Sequence, residues 1–199
     1  MKKYLFFLLV LCLFSCTPSV EKDFKKIPTE FDTLENLIKH INPSKKYIYW
    51  ECVYKEYEKT SKVIISKGDS SSIRNLKYDV PRDGFINKNW TGYYYIAYQD
   101  GKKLKYAYDT KSLQTFIGKI DNLANALLIA ETQNFSVDLK KKLGSSYKKT
   151  SNGFELHLAK FHSCPTQTEA FKISIDTLGN LEPKTLNYFY NVYKDVCAD

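Results

Sequence analysis

The 199-residue chain contains no Gly-rich phosphate-cradling loop, no strand–helix alternation regular enough for a dinucleotide-binding sheet, and no repeat of fixed period. These absences speak against nucleotide-binding α/β folds and against repeat architectures. Histidine is scarce: His40, His157 and His162 are the whole supply. Zinc needs three or four converging ligands, and His157, His162 and Cys164 lack a familiar metal spacing, so no metal and no cofactor is expected. His40 reads as a solvated residue on the polar face of a helix. Cys164 with His162 or His157 as its base would be a thiolate nucleophile. No nucleophile-elbow or papain-like context surrounds it, and no third orienting group is in view. The acidic pair Glu51 and Glu56 falls on opposite faces of a strand, which argues against glycosidase-type cooperation. No catalytic residue is assigned.

Long apolar runs are equally limited. Residues 5–14 are unbroken apolar sequence behind Lys2 and Lys3, the anatomy of an export signal. Ten residues of helix rise only about 15 Å against a hydrocarbon core of about 30 Å, too short for a permanent span. Leu13 at −3, Ser15 at −1 and Cys16 at +1 resemble the lipobox of bacterial lipoproteins, with Phe14 at −2 where a small or β-branched residue is usual. The resemblance covers residues 1–16. It implies removal of residues 1–15, a diacylglycerol thioether on Cys16 and a membrane partner held through that anchor. Two buried acyl chains at about 0.8 kcal/mol per methylene already give stable attachment. Thr17 after the cysteine, where retention in the inner membrane usually takes Asp, implies the outer membrane, facing the periplasm or the surface. Glu21, Lys22 and Asp23 resemble the charged export tags of surface lipoproteins in Bacteroidota. The tripeptides 32–34 and 176–178, both Asp-Thr-Leu, resemble the O-glycosylation pattern of exported proteins in the same group.

Loss of residues 1–15 leaves 184, enough for one domain with a sizeable core and short for two. The formal charge falls from +8 to +6 as Lys2 and Lys3 leave. Such a balance can attract anionic headgroups, acidic glycans or an acidic protein; nucleic acid is excluded by address. Lys140, Lys141, Lys142 and Lys148, Lys149 flank a Gly-Ser loop and read as solvated surface. Residues 16–28 read as the lipidated cysteine and a polar tether, and residues 29–199 as the folded domain.

Within that domain Phe31, Leu34, Leu37, Ile38 and Ile41 recur at helical spacing, with Asp32 and Glu35 able to form a capping box and Asn42-Pro43 as the stop. From Lys46 the period becomes two. Ile48, Trp50, Cys52 and Tyr54 share a core face, with Glu51 and Lys55 opposite. Residues 62–66 form a second strand and 68–72 a loop. Asp100-Gly101 and Asn152-Gly153 mark two hairpin turns. Residues 113–120 fit a helix that Gly118 weakens by about 1 kcal/mol, with a break near Asp121. Asp121 then caps a helix carrying Leu123, Ala124, Leu127, Leu128 and Glu131 at 3–4 spacing. Phe171, Ile173 and Ile175 alternate up to a turn at 176–180, and residues 186–192 form a last strand that Pro183 approaches without entering. The sum is an α+β fold: one antiparallel sheet built from hairpins, packed with about two helices, in a single domain.

With Cys16 acylated, Cys52, Cys164 and Cys197 remain in an oxidising compartment, and one must stay unpaired. Cys52 lies on an apolar strand face, so the expected bridge is Cys164–Cys197, a closure contributing about 3 to 4 kcal/mol in the chain-entropy model. Tyrosine is abundant, at sixteen residues, six of them in the 93–108 hairpin. If Tyr94, Ile96 and Tyr98 point inward, Tyr93 and Tyr95 face outward as a ligand-binding surface for carbohydrate or peptide. A non-catalytic binding module for a glycan or an envelope protein fits best. A periplasmic inhibitor or immunity-type protein, and a small hydrolase whose residues converge only in three dimensions, are the alternatives.

Overall fold

A computed structural model describes residues 18–57, 59–74, 76, 78–88 and 91–193. The signal segment, Cys16, Thr17 and Cys197 lie outside the described residues. The elements, in chain order, are β1 (Lys25–Lys26), α1 (Leu34–Lys39), β2 (Tyr49–Glu56), β3 (Lys62–Gly68), β4 (Ile86–Lys88), β5 (Gly92–Asp100), β6 (Lys103–Ala107), α2 (Thr110–Ile117), α3 (Leu123–Glu131), β7 (Ser145–Thr150), β8 (Gly153–Ser163), β9 (Thr166–Asp176) and β10 (Leu181–Tyr190). The fold is α+β, with two antiparallel sheets in place of one and three helices in place of about two among the described residues. The first sheet runs β1-β7-β8-β9-β10. In the second, β3, β2 and β5 are neighbours, and the free side of β5 is shared by β4 at Gly92–Tyr94 and by β6 at Ile96–Asp100.

Period-two tracts supply the inner face of each sheet: Trp50, Cys52, Ile96 and Tyr98 on one, Phe154, Leu156, Leu158, Ile173 and Ile175 on the other. Both belong to one apolar cluster that also takes in the buried apolar residues of all three helices. Helix α3 is the centre of it. Residues 124–130 are buried on every side of the helix, as expected for a segment apolar all round. Its single interior amide, Asn125, is satisfied by Asn42, donating to that carbonyl at 2.9 Å and accepting from its N–H at 3.3 Å.

The structure shifts several local expectations by one residue or more, each for a physical reason. Thr33, not Asp32, caps α1, accepting from Asn36 N at 3.3 Å, because Pro28 and a preceding 3₁₀ turn at Thr29–Phe31 delay the helix. Helix α2 begins earlier than its apolar pattern suggests, since Asp109, two residues past the end of β6, makes a reciprocal cap with Ser112, at 2.7 and 3.0 Å. It ends at Gly118, where φ is 73°, and Asn122, not Asp121, caps α3. In the first hairpin Asp100 pairs with Lys103, so the loop is Gly101–Lys102 with the positive φ at Gly101. In the second, Thr150 pairs with Gly153, so the loop is Ser151–Asn152 and Gly153 is a strand residue. Gly153 has φ 134°, and a Cβ there would lie 2.0 Å from Ile175 O. Pro183 lies inside β10, which is tolerated because β10 is an edge strand pairing only with β9. Ile48 precedes β2 and is exposed, outside the core face expected for it.

Candidate functional site

Tyr93 and Tyr95 leave the core face, but they do not form an open surface. They are 4% and 1% exposed and cluster with Val53 and Ala97 on the reverse of the second sheet. The segment leading from β3 to β4 folds back over them. Tyr93 donates to Pro81 O at 2.6 Å, and Tyr106 accepts from Asp79 N at 2.9 Å. Glu51 fastens the cover from below. Its buried carboxylate accepts from Tyr49 at 2.7 Å and from Tyr78 at 2.6 Å. Burial first, and the hydrogen bond to Glu51 second, push Tyr49 up to about 12 and raise Tyr78 as well, so both hydroxyls keep their protons at neutral pH. The reverse face is thus a second, smaller core held by a hydrogen-bonded carboxylate. Strand alternation places Glu51 on the non-core face and says nothing of its two tyrosine donors. The available signal was a β2 sequence apolar on both faces around one acidic residue, Tyr49-Trp50-Glu51-Cys52-Val53.

The histidines do not converge. His157 lies between Leu156 and Leu158, which face the core, so its ring is on the outer face of the first sheet. His162, five residues on, points to the opposite face. His162 Nε2 stands 2.9 Å from Glu169 Oε2, and Thr185 donates to the other oxygen of that carboxylate. Cys164 is in a disulfide, and a sulfur so committed offers no attacking thiolate. Cys52 is a free, fully buried thiol whose burial raises its pKa. His40 Nδ1 is 2.8 Å from Asn36 O, and its ring meets Phe31 edge-on. Among the described residues no three His, Cys, Asp or Glu side chains are grouped to hold a metal ion, and no helix is long and apolar enough to cross a membrane.

Residues 18–28, expected as a tether, are laid along the first sheet. Lys25 and Lys26 of β1 pair with Tyr147 and Ser146 of β7. Phe24 stacks on His157 with centroids 4.5 Å apart, Glu21 pairs with Lys172 at 2.8 Å and Asp23 with Lys148 at 2.6 Å. Ile27 is fully buried. His157 lies beneath this strap, 3.0 Å from Ser146 Oγ and 3.6 Å from Glu21 Oε2. Burial lowers its pKa against the opposing pull of Glu21, so the ring is neutral at pH 7. The local sequence carries no apolar period here because the strap is held by backbone pairing to β7, by ion pairs, by the Phe24 ring and by the single core anchor Ile27 rather than by an amphipathic face.

Between the strap and residues 141–146 lies a groove of about 660 Å³. Val20, Phe24, Leu143 and Tyr188 give it an apolar floor, and Lys22, Lys26, Lys141 and Lys142 stand around it. None of these four lysines makes an ion pair among the described residues, whereas the groove's one carboxylate, Glu21, is neutralised by Lys172, which holds it below the usual carboxylate range. The outcome is a cationic rim over an apolar base. Part of it, the Lys140–Lys142 run, stands out in the sequence; the contribution of Lys22 and Lys26 depends on the strap and could not be read locally. Comparisons of the chain with protein-family models, with curated proteins and with solved structures return no match.

Proposed function

We propose that the chain is an envelope lipoprotein, acylated on Cys16 and held at the outer membrane, whose domain is a non-catalytic binding module for an acidic component of the envelope. The groove is the observation that carries the binding part of this reading: four unpaired ammonium groups around an apolar floor favour an anion with apolar surface beside it. The lipobox-like residues 13–16 support the address, and the groove begins at Pro18, two residues beyond Cys16.

Metabolic labelling with a tagged fatty acid tests the anchor. Label should enter the wild-type chain and be absent from Cys16→Ala; equal labelling of both, or none in either, overturns it. Retention of the purified chain on an acidic polymer, set against a neutral one, tests the binding role. Lys141→Glu with Lys142→Glu should abolish the difference, and unchanged retention by that variant refutes the groove as the binding site.

A further inference from the structure

We infer that the groove between the strap and residues 141–146 binds the headgroup of an anionic phospholipid, so that this face of the domain lies on the membrane. The inference rests on the anchored reading above and names the partner of the same site.

Three observations carry it. The first is charge: Lys22, Lys26, Lys141 and Lys142 have no counter-ions within the described residues, and the single acid lining the groove is already paired. The second is the pairing of that charge with apolar surface. Val20, Leu143 and Tyr188 join the cluster on the outer face of the first sheet, next to Tyr190, over whose ring Lys141 Nζ sits at 5.7 Å. A phospholipid carries its phosphate covalently next to glycerol and acyl carbon, so one ligand offers an anion to the lysine ends and apolar surface to the side chains beside them. A hydrophilic acidic polymer would satisfy the lysines and leave the floor wet. The third is position. The strap reaches the groove at Pro18, and two peptide units from Cys16 span at most about 7 Å. A thioether-linked lipid therefore keeps the Pro18 end of the groove within about one Debye length of the headgroup layer. The strap's own ion pairs, Glu21–Lys172 and Asp23–Lys148, fix its placement and so hold Lys22 and Lys26 beside the 141–142 loop.

Full-length acylated protein, reconstituted into vesicles of phosphatidylcholine alone or with phosphatidylglycerol added, provides the test by amine acylation and peptide mass mapping. An ammonium group at an anionic surface gains about fivefold in partition, so labelling of Lys22, Lys26, Lys141 and Lys142 should slow about fivefold on the anionic vesicles. Lys102 and Lys103, in the hairpin of the second sheet, should label alike on both. Lys141→Glu with Lys142→Glu should restore the labelling of Lys22 and Lys26, with circular dichroism confirming that the variant is folded. Equal protection on both vesicles, or the same protection from inorganic phosphate with phosphatidylcholine vesicles, overturns the inference. The mass of the N-terminal peptide reports acylation separately: an unmodified Cys16 sinks the anchored reading, while lysine protection still reports on headgroup binding.

Discussion

Glu131 provides a quantitative test of how the core is built. It is the last residue of α3, half-buried at the end of a helix otherwise enclosed by apolar side chains. Burial pushes its carboxyl up from 4.5 to about 7, against the opposing charge of Lys88. A carboxyl raised on folding makes the folded state bind its proton more tightly than the unfolded chain does. Its contribution is therefore neutral below about pH 4.5 and becomes a growing cost as pH rises to about 7, above which it is constant. At about 1.36 kcal/mol per pH unit the full interval corresponds to about 3 kcal/mol. Solvent reaching a half-buried site reduces this to about 2 kcal/mol. Glu131→Gln keeps the shape and removes the charge. Urea unfolding should thus find the variant about 2 kcal/mol more stable than wild type at pH 8 and equal to it near pH 4.5. In a domain of this size the same difference at pH 8 is a rise in Tm of about 4 to 8 °C. Every other titrating group is common to both proteins, so the difference isolates Glu131. A variant equally stabilised at both pH values, or not stabilised at pH 8, would refute the assignment.

Removing the Tyr78 hydroxyl (Tyr78→Phe) leaves the Glu51 carboxylate with one donor fewer, at a cost of about 1 to 3 kcal/mol. Limited proteolysis should cut the segment between β3 and β4 faster in that variant, and unchanged cleavage would show that the cover is held by packing alone. Gly153→Ala and Gly101→Ala separate close approach from backbone conformation. Both have positive φ, but a Cβ at Gly101 meets nothing within 4 Å while one at Gly153 meets Ile175 O at 2.0 Å. Thermal unfolding should show a loss of about 1 to 2 kcal/mol for Gly101→Ala and a clearly larger one, or failure to fold, for Gly153→Ala; equal losses would contradict the register of β8 against β9. Non-reducing peptide mapping should recover Cys164 joined to Cys197 and Cys52 as a free thiol; a bridge from Cys164 to another cysteine would displace the pairing expected from the sequence.

Much of the fold is legible because its elements announce themselves locally. The alternation of Phe171, Ile173 and Ile175, the helical stripe around Leu127 and Leu128, and the turn signals at Gly101 and Gly153 each depend on neighbours within a few residues. What escapes is set by partners far along the chain. The reverse face of the second sheet looked open because Tyr93 and Tyr95 do leave the core face; that a Pro- and Gly-containing segment covers them follows from hydrogen bonds such as Tyr93 to Pro81 and Tyr78 to Glu51, which no period records. The strap at residues 18–28 reads as polar linker since its hold on the sheet, apart from the one apolar anchor Ile27, comes from β7 and from Lys148, His157 and Lys172, more than a hundred residues downstream. The groove follows the same logic: Lys141 and Lys142 are conspicuous as a run, yet only the strap brings Lys22 and Lys26 to them. The place of Pro183 inside β10 is not legible locally, because edge position is a property of the sheet and not of the residues around it.

The margins of the first sheet bear on behaviour at high density. One side is closed by β1, two lysines long, and the other by β10, where Pro183 interrupts the donor row and a bulge between Thr185 and Tyr188, with Asn187 at φ 51°, bends the strand. Neither rim offers an incoming copy a straight ladder of free amides and carbonyls, so stacking of molecules through this sheet is disfavoured even when they are crowded side by side on a surface.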